Sequence, residues 1–321
     1  MLATARPTEE SPDAGLSGIR ARGVRRSFGK VIAIEQMDLD APSGQVTALV
    51  GPNGAGKTTL LLVLATLLVP DAGEASIAGY DPVTHPREVR ARTGWMPDSF
   101  GSYETLTARE VLEFVAAAYR LPRERRAARS RELLAMVHLE EYADRAVHVL
   151  SRGQKQRLGL ARAIVHDPAV LLLDEPAAGL DPRSRIELRA LLRGLAADGC
   201  AVLVSSHVLA ELEETADRAV FVAGGRTVSE HRLTDLRDGP AQRSPWRIQA
   251  IEVGALLQAL DRLGYEHSDP GTAGVEVMLA GDEEAAELVA ALVTDGVRVF
   301  SCAPASGTLE AAYLALTEDR R

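Results

Sequence analysis

Long apolar runs are missing from this chain. The longest, residues 60–69 with only Thr66 interrupting, stops at Pro70, far short of the roughly 20 residues that cross a bilayer. It reads instead as a buried helix, so any membrane-spanning part belongs to another polypeptide. The amino terminus lacks the apolar segment of a secretory signal, and its Pro, Glu, Ser and Gly content predicts a disordered lead-in over residues 1–18. Cysteine is scarce too. Cys200 and Cys302 stand in no spacing motif, so no disulfide framework is needed and a reducing, cytoplasmic compartment is expected. A net charge of -9 argues against a generally nucleic-acid-binding surface, and no nucleic-acid partner is expected. The basic run at residues 120–131 reads as a solvated helix face. No internal repeat, low-complexity tract or sustained heptad pattern is present.

What is present alternates. Residues 19–28 and 45–50 read as strands, and residues 58–68 as a helix. A second strand–helix unit follows, with 169–173 as a fully apolar strand and 182–198 as a helix. Residues 201–205 form the next buried strand, and 219–228 a hairpin turning at Gly224 and Gly225. Buried strands alternating with helices predict an α/β fold, a mostly parallel sheet covered on both faces. Between residues 98 and 150 the pattern turns helical, notably at 108–119 and 129–138, as an insertion. The polar stretch 237–245 reads as a linker. Beyond it, residues 246–321 suggest a small α/β domain with strands near Trp246, Val275 and Val297 and a last helix at 309–316.

Three segments carry chemistry. The run GPNGAGKTT, residues 51–59, follows a strand and opens a helix, the context of a phosphate loop. Gly51, Gly54 and Gly56 allow backbone N–H groups to approach a polyphosphate closely, with Asn53 in the same loop. Lys57 places an ammonium on the β- and γ-phosphates, the Thr58 hydroxyl suits Mg²⁺, and Thr59 adds an α-phosphate contact. Asp174 and Glu175 then end the apolar run 170–173, at the carboxyl edge of a strand where ligands of open α/β sheets gather. Asp174 suits the metal, and Glu175 the base that orients the attacking water. The third segment is LSRGQ, residues 150–154.

Together these segments resemble the ATP-binding cassette, or ABC, ATPases: Phe28, the phosphate loop, the helical insertion, LSRGQ, LLLDEP, GLD and SSH occur in that family's order across residues 19–230. The resemblance implies an ATPase with a P-loop core spanning residues 19–236, using ATP and Mg²⁺. It implies catalytic Lys57, Glu175 and His207, with His207 on the γ-phosphate and Phe28 stacking on adenine. It further implies that Ser151, Gly153 and Gln154 of one subunit close over ATP held by a second, with Asp181 in the loop between them. The alternative for Asp181 is a cap on the helix that begins at Pro182.

Two positions depart from the pattern. Asp98 stands where the family carries a glutamine, replacing an amide by an acceptor-only anion that could ligate Mg²⁺. Arg152 replaces the first glycine of the usual LSGGQ. The segment SSHVLAELEE and the carboxyl-terminal TLEAAYLALT look like those of multidrug or antibiotic efflux subunits. The expectation is therefore an exporter's ATP-hydrolysing subunit, paired with a second copy or relative and peripheral on the inner membrane face beside a separate transmembrane permease. The competing expectation is a soluble cassette ATPase acting on ribosomes or DNA; a single cassette without long coiled coils disfavours it.

Overall fold

The computed structural model describes residues 18–99, 101, 104–206, 208–233, 243–271 and 274–305. The chain divides into two compact units, Met1–His231 and Arg232–Arg321.

The first unit is built on nine strands: β1 Gly18–Phe28, β2 Val31–Pro42, β3 Val46–Val50, β4 Ala72–Ile77, β5 Thr93–Met96, β6 Val170–Asp174, β7 Ala201–Ser206, β8 Arg218–Ala223 and β9 Arg226–Arg232. Their order is β4-β1-β2-β9-β8-β3-β7-β6-β5. The stretch β8-β3-β7-β6-β5 is parallel throughout, whereas β1 pairs antiparallel with β2 and β4. Strands β3, β6 and β7 are buried at every position, as expected of parallel strands covered on both faces. Leu39, Leu49, Leu60, Leu61, Leu172 and Leu203 belong to one core cluster.

Among the described residues seven α-helices accompany this sheet: α1 Lys57–Leu64, α2 Pro86–Arg92, α3 Ala108–Ala118, α4 Arg123–Met136, α5 Arg152–Ala163, α6 Pro182–Ala197 and α7 Leu209–Glu213. Helix α1 ends earlier than the apolar run suggests, because Thr66 turns into the left-handed region at φ 62° and the amides of Leu67 and Leu68 fold back onto the Leu62 carbonyl. Helix α4 starts earlier than expected, directly after Pro122, whose fixed φ suits a helix start. The insertion is helical, as read; Thr107 begins α3 with a reciprocal capping box to Glu110.

The basic run is not uniformly solvated. Arg129 reaches the carbonyls of Ile164 and Val165 at the end of α5, and pairs with Glu132 at 2.6 Å and with Asp167. It ties α4 to α5. Arg126 likewise caps the Leu121 carbonyl at 2.8 Å.

The second unit is an antiparallel sheet of β10 Ser244–Ala250, β11 Val275–Leu279 and β12 Val299–Pro304, in the order β11-β10-β12. Helices α8 Val253–Leu263 and α9 Asp282–Thr294 complete it. Its own core holds Trp246, Ile248, Leu256, Leu260, Val277 and Leu288. The helix expected at 309–316 lies outside the described residues. Among the described residues no helix is long and apolar enough to cross a membrane.

Candidate functional site

Strand order decides which side chains meet. β7 lies between β3 and β6, so the phosphate loop leaving β3 and the carboxylates ending β6 flank the end of β7. Asp174 is the register partner of Ser205, and the Ser205 hydroxyl donates to Asp174 Oδ1 at 2.5 Å. From the other side the Thr58 hydroxyl donates to Asp174 Oδ2 at 2.8 Å. Asp174 is 3% exposed, so both donors satisfy a carboxylate that would otherwise be costly to bury.

The loop itself is shaped by its glycines. Gly56 sits at φ 98° as the residue before α1, and a Cβ there would lie 2.6 Å from the Ala33 carbonyl oxygen. Gly54 is also left-handed, at φ 80°, but a Cβ there would meet nothing within 4 Å; its open side is where backbone can approach a ligand. Asn53 is exposed in the same turn. Lys57 is buried and donates to the carbonyls of Gly51 at 2.6 Å and Pro52 at 3.2 Å. Burial pushes its ammonium below the usual lysine range, while the negative charges of Glu175 and Asp174 oppose that shift. Thr59 follows, half-buried, in the first turn of α1.

Glu175 adopts a left-handed backbone at φ 51°, a conformation that costs a non-glycine residue about 1 kcal/mol or more. It is pinned from two sides. Its N–H donates to the Ser205 carbonyl at 3.1 Å and to the Ser205 hydroxyl at 3.2 Å, while its own carbonyl accepts from the Gln156 side chain at 3.1 Å. The structure therefore brings Lys57, Thr58, Asp174 and Glu175 together and adds Ser205 and Gln156. Sequence reading missed both, although Ser205 stood in plain view after a buried apolar strand. His207 lies outside the described residues.

The remaining predicted residues lie on other elements. LSRGQ is a helix start: Ser151 caps α5, its Oγ accepting from the Gln154 N–H at 3.2 Å while the Gln154 side chain accepts from the Ser151 N–H at 2.8 Å. In the sequence these residues read only as contacts to a second subunit's nucleotide, and this reciprocal S-x-x-Q capping box went unidentified. Because the Ser151 oxygen accepts within the cap, its hydrogen remains available to an incoming phosphate oxygen. Gly153 packs toward Leu180, and Arg152 lies across the backbone of Gly179. Asp181 caps α6 through the Ser184 N–H at 3.0 Å, and hydrogen bonds from Ser184 hold its carboxyl below the usual range. Phe28 ends β1 with 48% of its surface exposed and the Arg26 guanidinium 4.9 Å from its ring centre. One aromatic surface is thus open for stacking. Asp98 is exposed two residues beyond β5, whose Met96 pairs with Leu173 of β6.

Oxygen donors only, one an anion, face each other at Thr58 and Asp174, which is the ligand chemistry of a hard divalent cation such as Mg²⁺. Among the described residues no three His, Cys, Asp or Glu side chains gather into a metal-sized cluster.

Comparison with known proteins identifies the family. Residues 34–178 match the family described as ABC transporter. The daunorubicin resistance ATP-binding protein DrrA2 of Streptomyces coeruleorubidus is 34% identical over 307 residues, covering 94% of this chain and 95% of that relative. The sulfate/thiosulfate import ATP-binding protein CysA of Thermosynechococcus vestitus is 38% identical, over 70% of this chain and 67% of that relative. Among solved structures, the ATP-binding cassette MJ0796, a dimer in a post-hydrolysis state bound to ADP and phosphate, aligns with a TM-score of 0.62 at 28% identity, covering 67% of this chain and 98% of that one. The chain belongs to the ABC transporter family, as one of its ATP-binding, ATP-hydrolysing subunits.

Proposed function

We propose that this subunit drives export of drug-like small molecules through a separate membrane-spanning permease, working as a pair of cassettes on the cytoplasmic side. One observation carries the direction. The similarity to the daunorubicin resistance protein spans 94% of the chain and so takes in most of the second unit. The ribosome or DNA alternative gains no support from these relatives, all of which are named for transport or resistance.

In the proposed mechanism the N–H groups of residues 51–59 and the start of α1 receive the phosphates, and the Lys57 ammonium neutralises their charge. Thr58 and Asp174 would hold Mg²⁺, which when bound would supply neutralisation of phosphate charge. Glu175 orients the attacking water and accepts its proton, with His207 assigned to the γ-phosphate. Ser151, Gly153 and Gln154 cover the nucleotide of the partner cassette, and Asp181 faces that partner across the closed pair. Phosphoryl transfer needs chiefly such positioning and electrostatics.

The test uses the chain with its native membrane. Affinity purification is expected to recover a polytopic membrane protein, and inside-out vesicles carrying both are expected to accumulate daunorubicin when ATP is added. Glu175→Gln should bind ATP yet lose hydrolysis and accumulation. Recovery of ribosomes, or ATP-independent accumulation, overturns the proposal.

A further inference from the structure

One face of α5 reads the whole segment that follows Asp174 within the same chain. Gln156 donates to the Glu175 carbonyl at 3.1 Å. Arg152 Cδ and Nε lie 2.9 Å from where a Cβ on Gly179 would be, and Leu180 lies 3.5 Å from the corresponding point on Gly153. Arg157 donates to the Ser184 hydroxyl and pairs with Glu187 at 3.2 Å, and Ser184 in turn donates to Asp181. Positions 152, 153, 156 and 157 share one helix face by the helical repeat. The turn that begins at Ser151 is thus mechanically joined to both Glu175 and the cap at Asp181.

Gln156 is the member of this face with a chemical consequence. It is 7% exposed, and a buried amide is placed at a carbonyl because an unmet bond there is costly. The carbonyl it meets belongs to a residue at φ 51°, whose N–H is already fixed from the opposite side by Ser205. With both peptide groups around Glu175 held, the backbone fixes the point from which its side chain leaves the strand end. We infer that Gln156 is a positioning residue for hydrolysis: it holds Glu175 in its left-handed conformation and couples the signature turn of a cassette to the base in that cassette's own site. The inference rests on the reading of Glu175 as the base.

The experiment measures steady-state ATP hydrolysis by the full chain carrying Gln156→Met, which keeps the length and removes the donor, and Gln156→Asn, which keeps the amide but withdraws it by one methylene. Both are expected to lower kcat by tenfold or more while KM for ATP and the affinity for a fluorescent ATP analogue stay within about twofold, since no nucleotide contact is removed. Melting temperature reports folding, and Asn serves if Met disrupts it. A kcat within twofold of the parent in a folded variant overturns the inference, as does a loss of kcat matched by a loss of nucleotide binding. Glu175→Gln separates the premises: if it keeps turnover, the base assignment fails; if it is inactive while Gln156→Met is normal, only the role of Gln156 fails.

Discussion

Ser205→Ala should weaken this protein far more than the loss of one oxygen suggests. Ser205 is fully buried and its hydroxyl meets Asp174, itself 3% exposed. Substitution removes the donor and leaves a carboxylate oxygen facing a methyl group, with Thr58 still serving the other oxygen. Hydrogen bonds to charged groups are worth roughly 1.5–3 kcal/mol, and an orphaned buried acceptor forfeits that amount. The Glu175 amide loses its second acceptor but keeps the Ser205 carbonyl, so it adds little. About 2 kcal/mol corresponds to a fall in melting temperature of roughly 4–8 °C for a unit of this size. Differential scanning of parent and variant gives the shift, and a double-mutant cycle with Asp174→Asn assigns it. If the bond is the cause, the serine loss costs less beside the neutral amide, and the two substitutions fail to add by about 1 kcal/mol. A melting temperature within a degree of the parent, or full additivity, refutes the reasoning.

Asp181→Ala should cost about 1 kcal/mol through loss of the α6 cap, whereas Asp181→Asn should preserve stability by thermal melt, so any ATPase defect of the asparagine variant reports a role beyond capping. Burial pushes His166, stacked on Tyr119 at 3.6 Å, down to about 4 from the usual 6.5. The unfolded chain therefore binds a proton between those values that the folded one refuses, and stability should be lost as pH falls from about 6.5 to about 4; His166→Phe should flatten that decline in urea titrations, and an unchanged pH profile contradicts the assignment. Asp98→Gln should make ATPase activity less steeply dependent on Mg²⁺, because it removes an anion that repels phosphate until a cation intervenes; an identical Mg²⁺ titration ends that idea.

The parallel centre of the sheet was legible because β3, β6 and β7 are mostly apolar, interrupted only by Thr47, Asp174, Ser205 and Ser206, and each is buried at every position. β2 escaped notice for the opposite reason. Its one glutamate and two aspartates sit at exposed or half-buried positions, so Glu35, Asp38 and Asp40 break the apolar signal. Asp38 and Asp40 are nevertheless used, accepting from the Gly23 amide and from Arg22. β4, with a glycine, an alanine pair and a glutamate, offers too little apolar surface to be read as a strand. Within the site, loop and carboxylates announced themselves by local spacing. Ser205 and Gln156 act across 31 and 19 residues of sequence, and nothing local marks a side chain whose partner is a distant carboxylate or carbonyl. Arg152, a departure without an evident role in the sequence, acquires a neighbour in Gly179.

The pairing pattern at the centre of the site explains how opposite charges can share a buried place without cancelling. The hydrogens of Lys57 go to the carbonyls of Gly51 and Pro52, and the lone pairs of Asp174 go to the hydroxyls of Thr58 and Ser205. Each charge is solvated by neutral dipoles of the protein. A direct ion pair between them would still have required both charges to be desolvated, and it would also have spent both charges before any ligand arrived. Hydroxyls and carbonyls instead keep the ammonium and carboxylate fixed in place with their fields intact, a preorganised arrangement that suits the phosphate and cation binding proposed for this site because no ion pair has to break first. The strand order makes this possible: only because β7 runs between β3 and β6 can one serine stand beside Asp174 and also hold the amide of Glu175.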